Sequence, residues 1–136
     1  MIIVDAGPLY AQADRDDKHH EVCREFLAAH PGPLIVPTLI IGEVTYLIEK
    51  RQGPKFEALF LADVAAGLVI PEPVAPTDWL RIAELVVKYQ DFPLGTADAS
   101  VVACAERLGV TSIATLDRRH FSVVRPRHVE TFELLP

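Results

Sequence analysis

Four acidic residues stand where a chain of this pattern would bring carboxylates together. Asp5 follows Ile2-Ile3-Val4 directly, and Asp117 closes the run SIATLD. Two apolar strands that each end in Asp aim two carboxylates at one edge of a sheet, although Asp is also a common helix cap at such a point. Asp98 lies two residues after Thr96, and Asp98, Val101, Val102, Ala105 and Leu108 follow the i, i+3, i+4, i+7 rhythm of one helix face. Asp98 thus heads a core-facing stripe, at a helix end that favours negative charge by ~0.3–1 kcal/mol. Glu43, in VPTLIIGEVTYLIE, shares a face with Ile40, Val44 and Leu47. Glutamate on an apolar face calls for a partner. A small rotation of the helix would expose it instead.

Carboxylates ~5 Å apart at an effective dielectric of ~20 repel by roughly 3 kcal/mol per pair. A cluster of three or four must therefore bind cations or take up protons. All-oxygen ligation selects Mg2+, with Mn2+ as a substitute, over zinc. The expected chemistry is hydrolysis of a phosphodiester by a metal-activated water, leaving a 5′-phosphate and a 3′-hydroxyl.

The elements that must position these acids alternate between short apolar strands and longer helical segments. Strands are expected at 2–4, 34–36, 68–70 and 112–115, with a short one at 122–124. Helical spacing covers 17–29, with Val22, Phe26 and Ala29 on one face, then 37–51, 55–66, 78–89 and 96–108. Thr77 and Thr96 are the expected N-caps of the last two. In the helix over 55–66, Phe56, Leu59, Phe60 and Val64 recur at helical spacing, and Trp79 is expected to pack on the core. Strands alternating with helices imply parallel pairing through right-handed crossovers, hence a three-layer α/β fold with ligands at the carboxyl ends of the strands.

Bulk properties bound the rest. The 136 residues, half of them hydrophobic, fit a single domain spanning 1–136 with its own core. Cys23 and Cys104 match no zinc-ligand spacing and read as buried free thiols, as in a reducing cytoplasm. No signal peptide and no apolar run of membrane-spanning length is visible, so a cytoplasmic location is expected. Thirteen Lys and Arg against nineteen Asp and Glu give a formal charge of −6, unusual for a nucleic-acid binder. That sum hides a local contrast. The stretch from Arg118 to His128 holds Arg118, Arg119, Arg125 and Arg127 with two histidines and no acid. Arg118, Arg119 and Arg125 are candidate phosphate contacts, and an exposed solvated loop fits the stretch equally well.

Taken in order, the acids and their contexts resemble the PIN-domain family, and within it the VapC-type toxins of toxin–antitoxin pairs. IIVDAGPLYA is similar to the family's first motif and the Glu43 helix corresponds to the second. LGTADASVVACAERLGV resembles the third and IATLDRRHFSVVRP the fourth. The resemblance implies a parallel sheet flanked by helices and a Mg2+-dependent endoribonuclease acting on structured RNA such as tRNA or rRNA loops. Asp5 and Asp98 map onto the metal ligands, Glu43 onto the acid that completes the site, and Asp117 onto a fourth acid. A homodimer and a VapB-type antitoxin are implied as partners. The sequence departs from many relatives at Gly7, where they carry Ser or Thr. Thr96 and Thr115 are the candidate replacements for that hydroxyl.

Rival readings make separate demands. A metal-free ribonuclease would need two histidines as acid and base. Of His19, His20, His30, His120 and His128, none follows a strand directly, and a surface role is expected for all five. Tyr10 fits either a cleft-lining or a packing role, and Asp91 reads as a turn residue. A phosphotransfer domain would want a second Asp where Gly7 stands. A catalytically inactive PIN fold that binds RNA or protein is the remaining alternative, against which all four acids are present.

Overall fold

The computed structural model describes all 136 residues. Its elements run β1 (Ile2–Val4), α1 (Ala6–Ala13), α2 (His20–Ala29), β2 (Leu34–Pro37), α3 (Thr38–Gln52), α4 (Pro54–Ala65), β3 (Ile70–Glu72), α5 (Pro76–Lys88), α6 (Thr96–Leu108), β4 (Ser112–Ala114), α7 (Arg118–Val123) and β5 (Glu133–Leu135). The five strands form one parallel sheet in the order β3-β2-β1-β4-β5, flanked by the seven helices.

That order carries the functional logic. From β1 the chain steps outward to β2 and β3, then jumps back across β1 to place β4 on its other side. The reversal lies between β1 and β4, which pair through Ile3 with Ile113 and Val4 with Ala114. Helices entering and leaving at such a switch point diverge and leave a crevice outside the carboxyl ends of the two strands. Asp5 and Asp117 follow these two strands.

The central strands are apolar because both their faces are covered. Ile2, Ile3, Val4, Leu34, Ile35, Val36, Ile113 and Ala114 are all buried. Each such aliphatic side chain contributes roughly 1.5–3 kcal/mol by leaving water. α6 presents Ala99, Val101, Val102 and Ala105 to this core. It ends at Gly109, whose φ of 69° is the left-handed cap that glycine adopts without strain. α1 packs on α2 and α3, α3 on α4, and α5 on α6. Cys23 and Cys104 are buried free thiols, as expected, and burial pushes the Cys104 thiol up to about 11.

Several local expectations are corrected. The stretch 122–124 is not a strand: α7 covers Arg118–Val123, begun by Asp117, whose side chain accepts the His120 N–H, and it buries Phe121. The fifth strand is β5, in a segment whose apolar signal is only Leu134 and Leu135. The third strand begins at Ile70 because Gly67 and Leu68 still close α4. α5 is capped at Ala75, whose N–H donates to Asp78, and not by Thr77, while Gly95 rather than Thr96 precedes α6. α5 buries Asp78, Ile82 and Leu85, so Trp79 falls outside the buried stripe and is 51% exposed. Cys23 and Leu27, not Val22 and Ala29, are the buried positions of α2. On α4 only Phe60 is buried, and Phe56 and Leu59 face solvent.

Candidate active site

All four acids line one open cleft of about 450 Å3, together with Ala6, Gly7, Leu47 and Leu116. A larger cavity of about 500 Å3 lies towards the amino ends of β2 and β3, but it is mainly apolar and no carboxylate lines it. Convergent charge, not size, marks the site.

Asp5 is the most enclosed of the four, 5% exposed. Its N–H donates to the Ala114 carbonyl at 2.9 Å, extending the β1–β4 pairing by one step. It holds the N-cap position of α1, yet its side chain makes no capping bond. Instead Oδ2 accepts the Thr115 hydroxyl at 2.9 Å. Thr115 is also buried, and its N–H donates to the Leu135 carbonyl, so β5 fixes it from behind. The same hydroxyl accepts the Asp117 N–H at 2.9 Å. One oxygen atom thus ties together the acids that follow the two switch-point strands.

Gly7 is packed against the residue that follows Thr115. A Cβ at position 7 would lie 3.2 Å from Leu116 Cβ, so the bare backbone lets the Leu116 side chain close over α1. Of the two candidate replacements, Thr115 reaches Asp5, while Thr96 is exposed at the start of α6.

Electrostatics register the crowding. Burial raises the Asp5 carboxyl to about 6; hydrogen bonds from the Ala6 backbone and Thr115 partly oppose this, and the Asp98 and Asp117 charges add to it. Asp98, half-buried in the first turn of α6, is raised by burial and then by Glu43 and Asp117. Glu43 sits at the exposed rim on α3, where desolvation by the surrounding protein and the Asp5 charge raise it. Protons held in this way are what a cation would displace. The donors are hard carboxylate oxygens, the set that suits Mg2+ or Mn2+.

The histidines depart from the expected surface role, since all five are at least partly buried. His20 and His128 each bond a backbone carbonyl, those of Ala11 and Val110. His120 meets Asp117 Oδ2 at 2.6 Å and the Phe92 carbonyl at 3.1 Å, and ligand atoms of Asp98, Asp117 and His120 lie within 4.8 Å of one another. The signal in the sequence is a histidine three residues after an aspartate that starts a helix, the spacing that puts the two on one side of the first turn. Tyr10 is buried away from the cleft, its hydroxyl donating to Asp14 at 2.6 Å and its ring under the Arg51 guanidinium. Asp91 is exposed in the loop before α6.

The basic segment is exposed but mostly tethered. Arg118 bonds the Pro136 carbonyl, Arg125 the Ser122 carbonyl at 2.7 Å, and Arg127 pairs with Glu84 at 2.8 Å. Arg119 is exposed with its guanidinium unpaired.

A parallel α/β sheet with carboxylates gathered at its switch point defines an α/β protein whose acidic cleft could hold a metal ion. Residues 2–125 match the family model described as PIN domain, and the chain belongs to the PIN-domain family. It is 33% identical over 135 residues to Ribonuclease VapC26 of Mycobacterium tuberculosis (strain ATCC 25618 / H37Rv), covering 99% of this chain and 100% of that one. Among solved structures, VapC20 of Mycobacterium tuberculosis, described as a Sarcin-Ricin loop cleaving toxin, superimposes with a TM-score of 0.78 at 20% identity. That match covers 83% of this chain and 87% of the other. VapBC2 from Rickettsia felis, solved with a DNA fragment from its promoter, gives a TM-score of 0.68 at 12% identity over 98% of this chain and 97% of that one. These last two are similarities of fold.

Proposed function

We propose that this chain is a divalent-metal-dependent endoribonuclease, the toxin of a type II toxin–antitoxin pair, cleaving structured RNA of the tRNA or rRNA kind. The observation that carries the reading is the convergence of Asp5, Glu43, Asp98 and Asp117 in one cleft, from four separate stretches of a chain 33% identical to a named ribonuclease. Asp5 and Asp98 hold the ion, Mg2+ with Mn2+ as a substitute. When bound, the ion supplies a polarised water and neutralises charge on the phosphodiester. Glu43 on the rim and Asp117 beside Asp98 complete the acidic set and orient groups entering the cleft. Thr115 holds Asp5 in place. Arg118, Arg119 and Arg125, close in sequence to Asp117, contact backbone phosphates and offset the acidity of the cleft.

The whole chain, 1–136, acts as one domain, as a homodimer in the cytoplasm, restrained by a VapB-type antitoxin. A solved toxin-antitoxin complex from Klebsiella pneumoniae, similar in fold with a TM-score of 0.60 at 17% identity, supports the last point. No helix is long and apolar enough to cross a membrane.

The test is cleavage of a structured RNA by the purified chain with Mg2+, with Mn2+ and with EDTA, reading the product ends. Cleavage that needs the ion, leaves a 5′-phosphate and disappears in Asp98→Asn is the expected result. Products ending in a 2′,3′-cyclic phosphate, formed equally well in EDTA, would overturn it. An inactive fold that only binds RNA would show retention of RNA without cleavage under every condition.

A further inference from the structure

His120 occupies a position that the four-acid arrangement does not by itself require. Its Nε2 faces the Phe92 carbonyl, which can only accept, so Nε2 carries a hydrogen. Its Nδ1 shares a second proton with Asp117 Oδ2, and its backbone N–H donates to Asp117 Oδ1 at 3.1 Å. Both oxygens of Asp117 are therefore held by one residue, and both nitrogens of that residue's ring are in use. The spacing of Asp98, Asp117 and His120 is one that a metal ion would accept. Yet His120 could ligate an ion only by giving up the carboxylate or the carbonyl.

The carbonyl belongs to the segment that feeds α6. Tyr89 accepts N–H groups from Phe92 and Leu94 at its own carbonyl, Leu94 is buried, and Gly95 then opens the helix that bears Asp98. The imidazole ring thus links the turn that carries Asp117 to the loop that sets the start of α6.

We propose that His120 is a positioning residue that keeps Asp117 beside the bound ion as an acceptor held by the imidazole, not as a ligand of the ion, and fixes its distance from Asp98 through the Phe92 carbonyl. This rests on the reading that Asp5 and Asp98 hold the ion. Asp117 then orients an entering group while the ion sits on the other two acids. Partners of this kind act on the turnover step through geometry: their loss typically costs about 10- to 100-fold.

The test pairs Mn2+ titration calorimetry with kcat and KM on a structured RNA at saturating Mn2+, using the full chain. Asn places its amide where Nδ1 was, and Gln places its amide where Nε2 was. Expected are Mn2+ dissociation constants for Asp117→Asn and His120→Asn that match the unsubstituted chain, while Asp98→Asn loses uptake. The expected kcat falls about 10- to 100-fold in His120→Gln and His120→Ala at unchanged KM, and recovers only in part in His120→Asn, which keeps the Asp117 bond and loses the one to the Phe92 carbonyl. Loss of Mn2+ in Asp117→Asn as complete as in Asp98→Asn would overturn the proposal, as would full kcat in His120→Ala or rescue by Gln in place of Asn. Should His120→Ala fail to fold, the Asn and Gln pair still decides. If Asp5→Asn and Asp98→Asn both keep Mn2+ uptake, the metal reading itself falls and takes this one with it, a pattern distinct from equal loss in Asp117→Asn and Asp98→Asn.

Discussion

The Thr115 hydroxyl donates to Asp5 Oδ2 at 2.9 Å while accepting the Asp117 N–H at the same distance. It is the only side-chain hydroxyl on Asp5, and it orients the carboxylate that burial would otherwise leave nearly alone. Thr115→Val keeps the volume and removes both bonds. It should lower Mn2+ affinity or turnover about 10- to 100-fold and cost about 1–3 kcal/mol in stability, because the Asp117 N–H loses its acceptor. Thr115→Ser should restore most of both. Calorimetry with Mn2+ and denaturant titration of the three proteins check this, and unchanged metal binding in the Val variant would remove Thr115 from the site.

The raised Asp5 carboxyl has a definite sign in a pH experiment. Its folded value, about 6, lies above the ordinary 3.8, so the folded state binds the proton more tightly than the unfolded one. Without metal, the chain should therefore become more stable as pH falls from above 6 towards 4, by up to about 3 kcal/mol from this group. Asp5→Asn should flatten that slope and stabilise the metal-free chain at neutral pH. Mn2+ should reverse the slope, since uptake expels the proton. Melting temperatures from pH 4 to 8, in EDTA and in Mn2+, decide it. A metal-free chain that is instead more stable at pH 8 than at pH 5, with the Asp5→Asn difference absent, would contradict the assignment.

The legible parts of the sequence are those with strong period or punctuation. Ile2-Ile3-Val4-Asp5 reads as a buried strand ending in an acid because nothing polar interrupts it, and α6 reads from its stripe because Val101, Val102 and Ala105 all turn inward. Short segments under tertiary control are not legible. Ser122 and Val123 look like strand residues, but a side-chain cap from Asp117 and the burial of Phe121 fold them into α7. β5 has only two apolar residues of its own and exists because β4 offers it an edge, pairing Ile113 with Leu134. His120 escapes sequence reasoning since its partners, Asp117 and the Phe92 carbonyl, lie three and 28 residues away. No periodicity reports the second of these. Trp79 is a large aromatic, which favours a core position by default, whereas Asp78 takes the inward position beside it.

That buried aspartate leads to a stability prediction. Asp78, 6% exposed, accepts Arg107 Nε at 3.0 Å and the Ala75 N–H at 3.0 Å, tying α6 to the start of α5. Arg107 also reaches Glu72 at 2.9 Å. Arg107→Ala leaves the buried carboxylate with its backbone donor alone and should cost about 2–3 kcal/mol. Asp78→Asn in the same background should recover part of that loss by removing the unpaired charge. Urea denaturation of the single and double variants gives the coupling; simple additivity would show that the pair contributes little.

The basic segment offers the sharpest separation between binding and catalysis. Arg119 is exposed with no ion-pair partner, whereas Arg127 is already paired with Glu84 and its backbone N–H donates to Glu106. If the segment grips RNA phosphates, Arg119→Ala should weaken binding by a similar factor for every RNA sequence tested. It should also reduce the slope of log affinity against log salt by about 0.7 to 1, as expected when one fewer phosphate is neutralised by the protein. Arg127→Ala should change that slope far less, because its charge is already offset within the protein. Neither should alter Mn2+ uptake, since neither residue lines the acidic cleft. Binding is measured with Ca2+ in place of Mn2+ on an Asp98→Asn background, so that cleavage does not consume the RNA. Equal slopes for the unsubstituted chain and Arg119→Ala would place the RNA path elsewhere on the surface.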